Sequence, residues 1–385
     1  MAFEAIRAYG RAWPGPATHQ DVARRQATGW RALKACLADC PALKAYAGAE
    51  LSDIPIIDVA EFRQRFDDFN TQGLSQASLM QGARPDGIEL GFSTGTTGGP
   101  PGLFVTTPRE RATYTGRLLG KLLPPWQLLG LTRIALCLRA PSRLYEGGHV
   151  RFFALEDKDR ARAIATFDPH VLIAPPQVLL ELAGRGHRLP ALKHLYYGAE
   201  TLNDVERAFI AERLGLRPDP IYQATEGFLG APCRLGTLHL NEDGMIFERE
   251  DLGQGRFRPV VTDLLRETQV VVRLRLNDLL HPTTCPCGSP LQAVHPVEGR
   301  VGDIWRWGDQ TVFPGDVEAE VAPRLAGDRR WIATGHDGGI RFACPHDEDA
   351  RAIAEALGTF GQPVTREPYD PALDFPKRRH VRWAA

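Results

Sequence analysis

Between residues 88 and 227, short continuous apolar runs alternate with longer stretches whose apolar positions recur every third or fourth residue. RIALCLRAP (133–141) and HVLIAPP (170–176) are β-rich runs ended by proline, which predicts buried parallel strands. LKHLYYGAE predicts another strand and DPIYQATEG a strand end. RERATYTGRLLGKLL, DKDRARAIATF, QVLLELAGRG and DVERAFIAERLG have helical spacing, the last with a glycine stop. This repetition predicts an α/β layered domain. Upstream, residues 18–50 predict helices with Arg/Lys faces, Leu33 and Leu37 giving the spacing, and Asp58 is a candidate N-cap of a further helix. From about residue 235 to 300 the pattern changes to short strands and turns, and residues 301–385 predict a compact, highly charged α+β tail.

Composition narrows the class. The chain has 385 residues, 43% hydrophobic and 24% charged, with net charge −1. That is ordinary for a soluble globular protein and favours neither nucleic acid nor an anionic membrane as partner. No stretch approaches the roughly 18 apolar residues of a membrane helix, and MAFEAIRAYGRAWPGP has no apolar signal-peptide core. The expected location is the cytoplasm. Seven cysteines, an odd number, argue against a disulfide framework in such a chain.

Residues 93–102 read STGTTGGPPG. A Gly/Ser/Thr/Pro cluster is commonly a surface loop. It can also cradle phosphate, glycines letting backbone N–H groups converge on an anion and hydroxyls adding donors. The stretch lacks the Lys-Ser/Thr of a P-loop. Ligands of open α/β sheets bind at the carboxyl ends of strands, where this loop, YYGAE and YQATEG all fall, so the three could share one cleft.

Taken in order, STGTTGGPPG, YYGAETL, YQATEGF, VVRLRLNDLL and VEGRVGDIW resemble motifs of the adenylate-forming superfamily of acyl- and aryl-CoA ligases. The likeness is greatest to the phenylacetate–CoA ligase-like branch and its coenzyme F390 synthetase-related members, and runs from about residue 50 to 320. It implies a large N-terminal adenylation domain, residues 1–300 with a β subdomain at about 233–300, and a small mobile α+β domain, 301–385. It further implies activation of a carboxylic acid, with a lean toward aromatic acids, by ATP and Mg²⁺. The acyl-AMP would then pass to a thiol of CoA or an acyl carrier protein.

The same resemblance assigns roles. Ser93, Thr94, Gly95, Thr96, Thr97 and Gly98 would wrap the β/γ-phosphates. Glu226 would hold Mg²⁺, Thr225 would donate to the α-phosphate and Tyr222 would stack on adenine. Gly198, Ala199 and Glu200 would line the purine and acyl pockets, where Tyr145, Tyr196 and Tyr197 could face a ring. Asp278 would accept from the ribose hydroxyls, Arg300 and Asp303 fall in the hinge, and Lys377 is the candidate catalytic lysine. Each has a plainer alternative: a helix cap for Glu226, a turn for Asp278, a core tyrosine, a solvated basic tail at Lys377. The loop departs from the family in ending Pro100-Pro101-Gly102 where a Pro-Lys-Gly is frequent, and Arg109 is a candidate replacement cation.

Cys233 and His239 form one close pair, Cys285 and Cys287 another. A structural zinc takes four S/N ligands, usually as two such pairs, and members of this branch carry a Cys/His cluster in the β region. Structural Zn²⁺ is therefore expected, against two buried cysteines and a hydrogen-bonded histidine. Two further readings stay open: adenylylation of a hydroxyl-bearing cofactor, as in F390 synthetases, and a nucleotide-binding protein with little catalysis.

Overall fold

A computed structural model describes residues 2–93, 102–128, 132–138, 149–374 and 378–384. The predicted parallel strands form one five-stranded sheet in the order Val150–Ala154, Ile134–Leu138, Val171–Ala174, His194–Tyr197, Asp219–Pro220. All four pairings are parallel. Both faces are covered, which is why the strands read as unbroken apolar runs. One face carries the helices Arg160–Phe167, Pro176–Gly184 and Asp204–Leu214 over Cys137, Leu172 and Tyr197. The other packs Leu136, Val171 and Tyr196 against Leu118 and Leu122 of the helix Pro108–Leu122. Tyr196 and Tyr197 thus point to opposite faces, as the two-residue repeat of a strand requires. The edge strand Val150–Ala154 was not legible in the sequence, where Arg151 interrupts its apolar run.

Local signals explain the helix ends. Thr107 and Glu110 form a capping box, with Pro108 in the first turn. Asn203 and Glu206 form another, and that helix stops at Gly215, whose φ of 78° suits glycine. Asp58 stands at the N-cap of the helix Val59–Gln64, but its side chain makes no capping bond and lies 3.4 Å from Arg275 instead. The helix Ala2–Ala12 lies against Pro108–Leu122, and a Cβ on Gly116 would stand 2.1 Å from the Ala5 carbonyl oxygen.

The β region differs from the expected short strands. Met245–Gly253 and Arg256–Asp263 form a long antiparallel hairpin. The first strand hides in sequence because alternate residues face water, giving the polar run FERED. Beside it, the sheet Ala293–Val294, Leu238–Leu240, Gly227–Pro232, Tyr222–Ala224 is antiparallel throughout.

Residues 305–383 build their own four-stranded sheet with the helices Pro314–Val321 and Asp347–Gly358, around a core of Trp305, Trp331, Ile353 and Leu357. This part touches the Asp204–Leu214 helix directly. Arg378 pairs with Glu206, both buried, and a Cβ on Gly327 would meet Phe209 Cβ at 2.3 Å. No helix among the described residues is long and apolar enough to cross a membrane.

Candidate active site and metal centre

At the carboxyl ends of the parallel strands a cavity of about 850 Å³ opens, within the range of small-molecule sites. Gly198, Ala199, Glu200, Tyr222, Thr225 and Glu226 line it, and so do Asp278 and Arg300. Loops far apart in sequence therefore share one cleft. Gly91, Phe104 and Thr106, from the hairpin Glu89–Ser93/Gly102–Thr106, line it too. Ser93 pairs with Gly102 at the end of that hairpin. Thr94, Gly95, Thr96, Thr97, Gly98, Tyr145 and Lys377 lie outside the described residues.

Asp278, itself buried, is the centre of a polar triad with buried Tyr222 and half-exposed Arg300. It stands opposite Arg300 in an antiparallel pair, which puts Arg300 Nη1 2.9 Å from Asp278 Oδ1. Tyr222 donates its hydroxyl to Asp278 Oδ2 at 2.7 Å. Burial, then the Asp278 charge, hold the Tyr222 phenol well above its ordinary value, so it remains a donor. The hydroxyl of Tyr222 is thus occupied by Asp278 while the residue still lines the cavity.

Glu226 is 4% exposed and meets Arg63 Nη2 at 3.1 Å. The Thr225 carbonyl accepts from Arg266 Nη1 at 2.9 Å. Ala199 has φ 71°, an uncommon conformation for a residue with a Cβ, at the cavity wall. Arg379 pairs with buried Asp303, and both line the cavity with Arg378 and His380. Cys137 touches the cavity, but burial pushes its thiol up to about 12, so it is no nucleophile. Tyr196 is packing: its hydroxyl donates to the Leu122 carbonyl at 2.7 Å. Arg109 is exposed and is not among the residues lining the cavity.

Sequence reasoning missed Arg63 and Asp263, which sit in no motif. Burial holds the Asp263 carboxyl up at about 6, with Arg266 pulling it back down. Its Oδ1 accepts from the Leu265 N–H at 2.9 Å. Because the folded value lies above the unfolded one, stability falls as pH rises between about 4 and 6. Asp263→Asn keeps the acceptor and removes the charge. It is expected to stabilise the protein at pH 7.5 by roughly 1–3 kcal/mol and to change nothing near pH 4. Urea unfolding at both pH values checks this, and equal effects at the two would refute it.

The second site lies in the antiparallel region. One ligand atom from each of Cys233, His239, Cys285 and Cys287 falls within 4.8 Å of the others, a group that could hold a metal ion. Cys233 Sγ is 3.6 Å from Cys285 Sγ, and Cys287 Sγ 3.5 Å from His239 Nε2. Tetrahedral bonds of about 2.3 Å to sulfur and 2.0–2.1 Å to nitrogen require separations of this size. His239 Nδ1 lies 2.7 Å from the Leu291 carbonyl oxygen. A carbonyl only accepts, so Nδ1 carries the proton and Nε2 keeps its lone pair toward the sulfurs. The N–H groups of Leu235 and Ser289 each point at a cysteine sulfur from 3.4 Å. His239 is positioned by pairing with Ala231 and Ala293 across two strands.

No protein-family model matches the sequence, and no curated protein is similar to it in sequence. Solved structures are similar in fold. A 2-hydroxyisobutyryl-CoA ligase in the postadenylation state, in complex with 2-HIB-AMP, superposes with a TM-score of 0.64 at 16% identity, over 95% of this chain and 87% of that one. The same ligase in the thioesterification state, with 2-HIB-AMP and CoA, gives 0.51 at 17% identity, over 99% and 88%. The acyl acid amido synthetase AtGH3.15 in complex with 2,4-DB gives 0.61 at 11% identity, over 96% and 92%. These are adenylate-forming enzymes, and the chain has their α/β fold, with a large N-terminal and a small C-terminal part.

Proposed function

We propose that this protein is an AMP-forming acid–thiol ligase. The acid's carboxylate oxygen bonds to the α-phosphorus of ATP as the α–β P–O bond breaks, giving acyl-AMP and pyrophosphate. A thiol of CoA or a carrier-protein phosphopantetheine then forms a C–S bond as the acyl–AMP C–O bond breaks and AMP leaves. The observation that carries this reading is the meeting of Asp278, Tyr222, Arg300 and Glu226 in one cavity, in a fold adenylate-forming enzymes use. In it Asp278 accepts from the ribose hydroxyls, with Tyr222 and Arg300 fixing its orientation. Thr225 donates to the α-phosphate, and Glu226 supplies a carboxylate to Mg²⁺, which screens the phosphate charge. Gly198, Ala199 and Glu200 line the purine and acyl pockets, the loop 93–98 wraps the β/γ-phosphates, and Lys377 reaches the reacting phosphate. An aromatic acid is favoured by Phe104, Tyr114 and Phe228 among the cavity walls. A cytoplasmic location suits a reaction that consumes ATP.

The division near residue 300 and a mobile small domain belong to the same reading. The higher similarity to the postadenylation state than to the thioesterification state of one ligase supports an adenylation-side arrangement here. The Cys/His group is read as structural zinc. Four protein ligands leave no open position, so it ties the Cys233 turn to the 285–287 loop without joining the reaction.

The test is pyrophosphate release with ATP, Mg²⁺ and a panel of aromatic and aliphatic acids, without a thiol. Release that depends on one class of acid is expected, followed by thioester formation when CoA or carrier protein is added. ATP binding without release from any acid would remove the ligase reading.

A further inference from the structure

The phosphate-wrapping segment 93–102 contains no lysine, arginine or histidine. A nucleoside triphosphate in the cavity would bring several negative charges to its Glu226 end, and one Mg²⁺ neutralises only part of them. A compensating cation must come from elsewhere in the chain.

Most of the arginines lining the cavity are already committed. Arg111 pairs with Glu89 at 3.0 Å and Arg117 with Asp243 at 3.1 Å. Arg300 pairs with Asp278, Arg378 with Glu206 and Arg379 with Asp303. Arg266 spends Nη1 on the Thr225 carbonyl and Nη2 on Gln269. Arg63 differs in its partner. Its ion-pair partner is Glu226, the carboxylate assigned to Mg²⁺, at 3.1 Å. Its Nε is buried with no hydrogen-bond partner, as is that of Arg379. Its side chain is 36% exposed and lines the cavity from the short helix Val59–Gln64, so it can change partner without unpacking a core.

We propose that Arg63 binds the terminal phosphates of a Mg²⁺-bound nucleoside triphosphate. This rests on the nucleotide reading above. In the free protein Arg63 neutralises Glu226. When Glu226 turns to the metal, the guanidinium loses that partner and moves to the β/γ-phosphate oxygens, presenting two N–H groups to them. The exchange keeps each buried charge paired in both states. It also makes Arg63 selective: AMP, which has no β- or γ-phosphate, gains nothing from it.

Calorimetric titration of Mg²⁺-ATP and of AMP into wild type, Arg63→Ala and Arg63→Lys tests this without any acid or turnover. Arg63→Ala is expected to weaken Mg²⁺-ATP binding by about tenfold or more, the effect of one charged hydrogen-bonding partner. AMP affinity should stay within about twofold of wild type, and Arg63→Lys should recover part of the ATP affinity because it keeps the charge but not the fork. An unchanged ATP affinity in Arg63→Ala, or equal loss for ATP and AMP with an unchanged melting temperature, overturns the role of Arg63 and leaves the nucleotide reading intact. Wild type that binds neither nucleotide removes that reading and this role together. Should Arg63→Ala melt lower than wild type, Arg63→Gln replaces it under the same criteria.

Discussion

Asp278→Ala is expected to weaken ATP binding by at least about 100-fold, because two hydrogen bonds to an ionised acceptor, each roughly 1.5–3 kcal/mol, are lost. The same change damages the fold locally. Arg300 and the Tyr222 hydroxyl both depend on this carboxylate, at 2.9 and 2.7 Å. Leaving the buried Tyr222 hydroxyl without its acceptor typically costs about 1–3 kcal/mol, and half-exposed Arg300 adds less because water can solvate it. Asp278→Asn separates the two effects. It keeps the shape and one acceptor oxygen, so most of the stability should survive while ATP affinity still falls by about tenfold. Calorimetric titration and urea unfolding of both variants give the split. ATP bound by Asp278→Asn as tightly as by wild type would remove the ribose role.

The second large effect concerns the metal. Purified protein is expected to carry one zinc ion per chain. Cys285→Ser, or prolonged chelation, should lower the melting midpoint by on the order of 10 °C, since structural zinc contributes several kcal/mol and each kcal/mol moves a midpoint by about 2–4 °C in domains of this size. The damage should be local. The ligands join the turn after Gly227–Pro232 to the loop before Ala293–Val294, so hydrogen exchange should rise there and not in the five-stranded sheet. Metal-free protein whose melting is indifferent to chelators would reduce the group to packed cysteines and a hydrogen-bonded histidine. Elemental analysis and calorimetry decide between these.

Both variants show where the sequence was readable. The Cys/His group was visible as two close pairs, the spacing in which the ligands of a structural metal usually come. The strand–helix repetition from 88 to 227 was visible because strands buried on both faces leave unbroken apolar runs. Caps were legible for the same local reason: Gly215 ends its helix through its own φ. The long strand Met245–Gly253 was not legible, because an edge strand half in water has a polar sequence, and neither was Val150–Ala154.

By itself, the sequence determined what depends on near neighbours: helix stops, buried strands, the order of the polar loops and the two close Cys/His pairs. Tertiary structure alone decided which side chains meet. Asp278 faces Arg300 through an antiparallel register 22 residues apart in the chain, and Tyr222 reaches them from 56 residues away. Arg63 meets Glu226 across 163 residues, and Arg378 meets Glu206 across 172. A charged residue on a helix looks the same in sequence whether it faces water or a buried carboxylate. Folding strips water from the carboxylate, which is costly to bury unless a charged partner stands beside it.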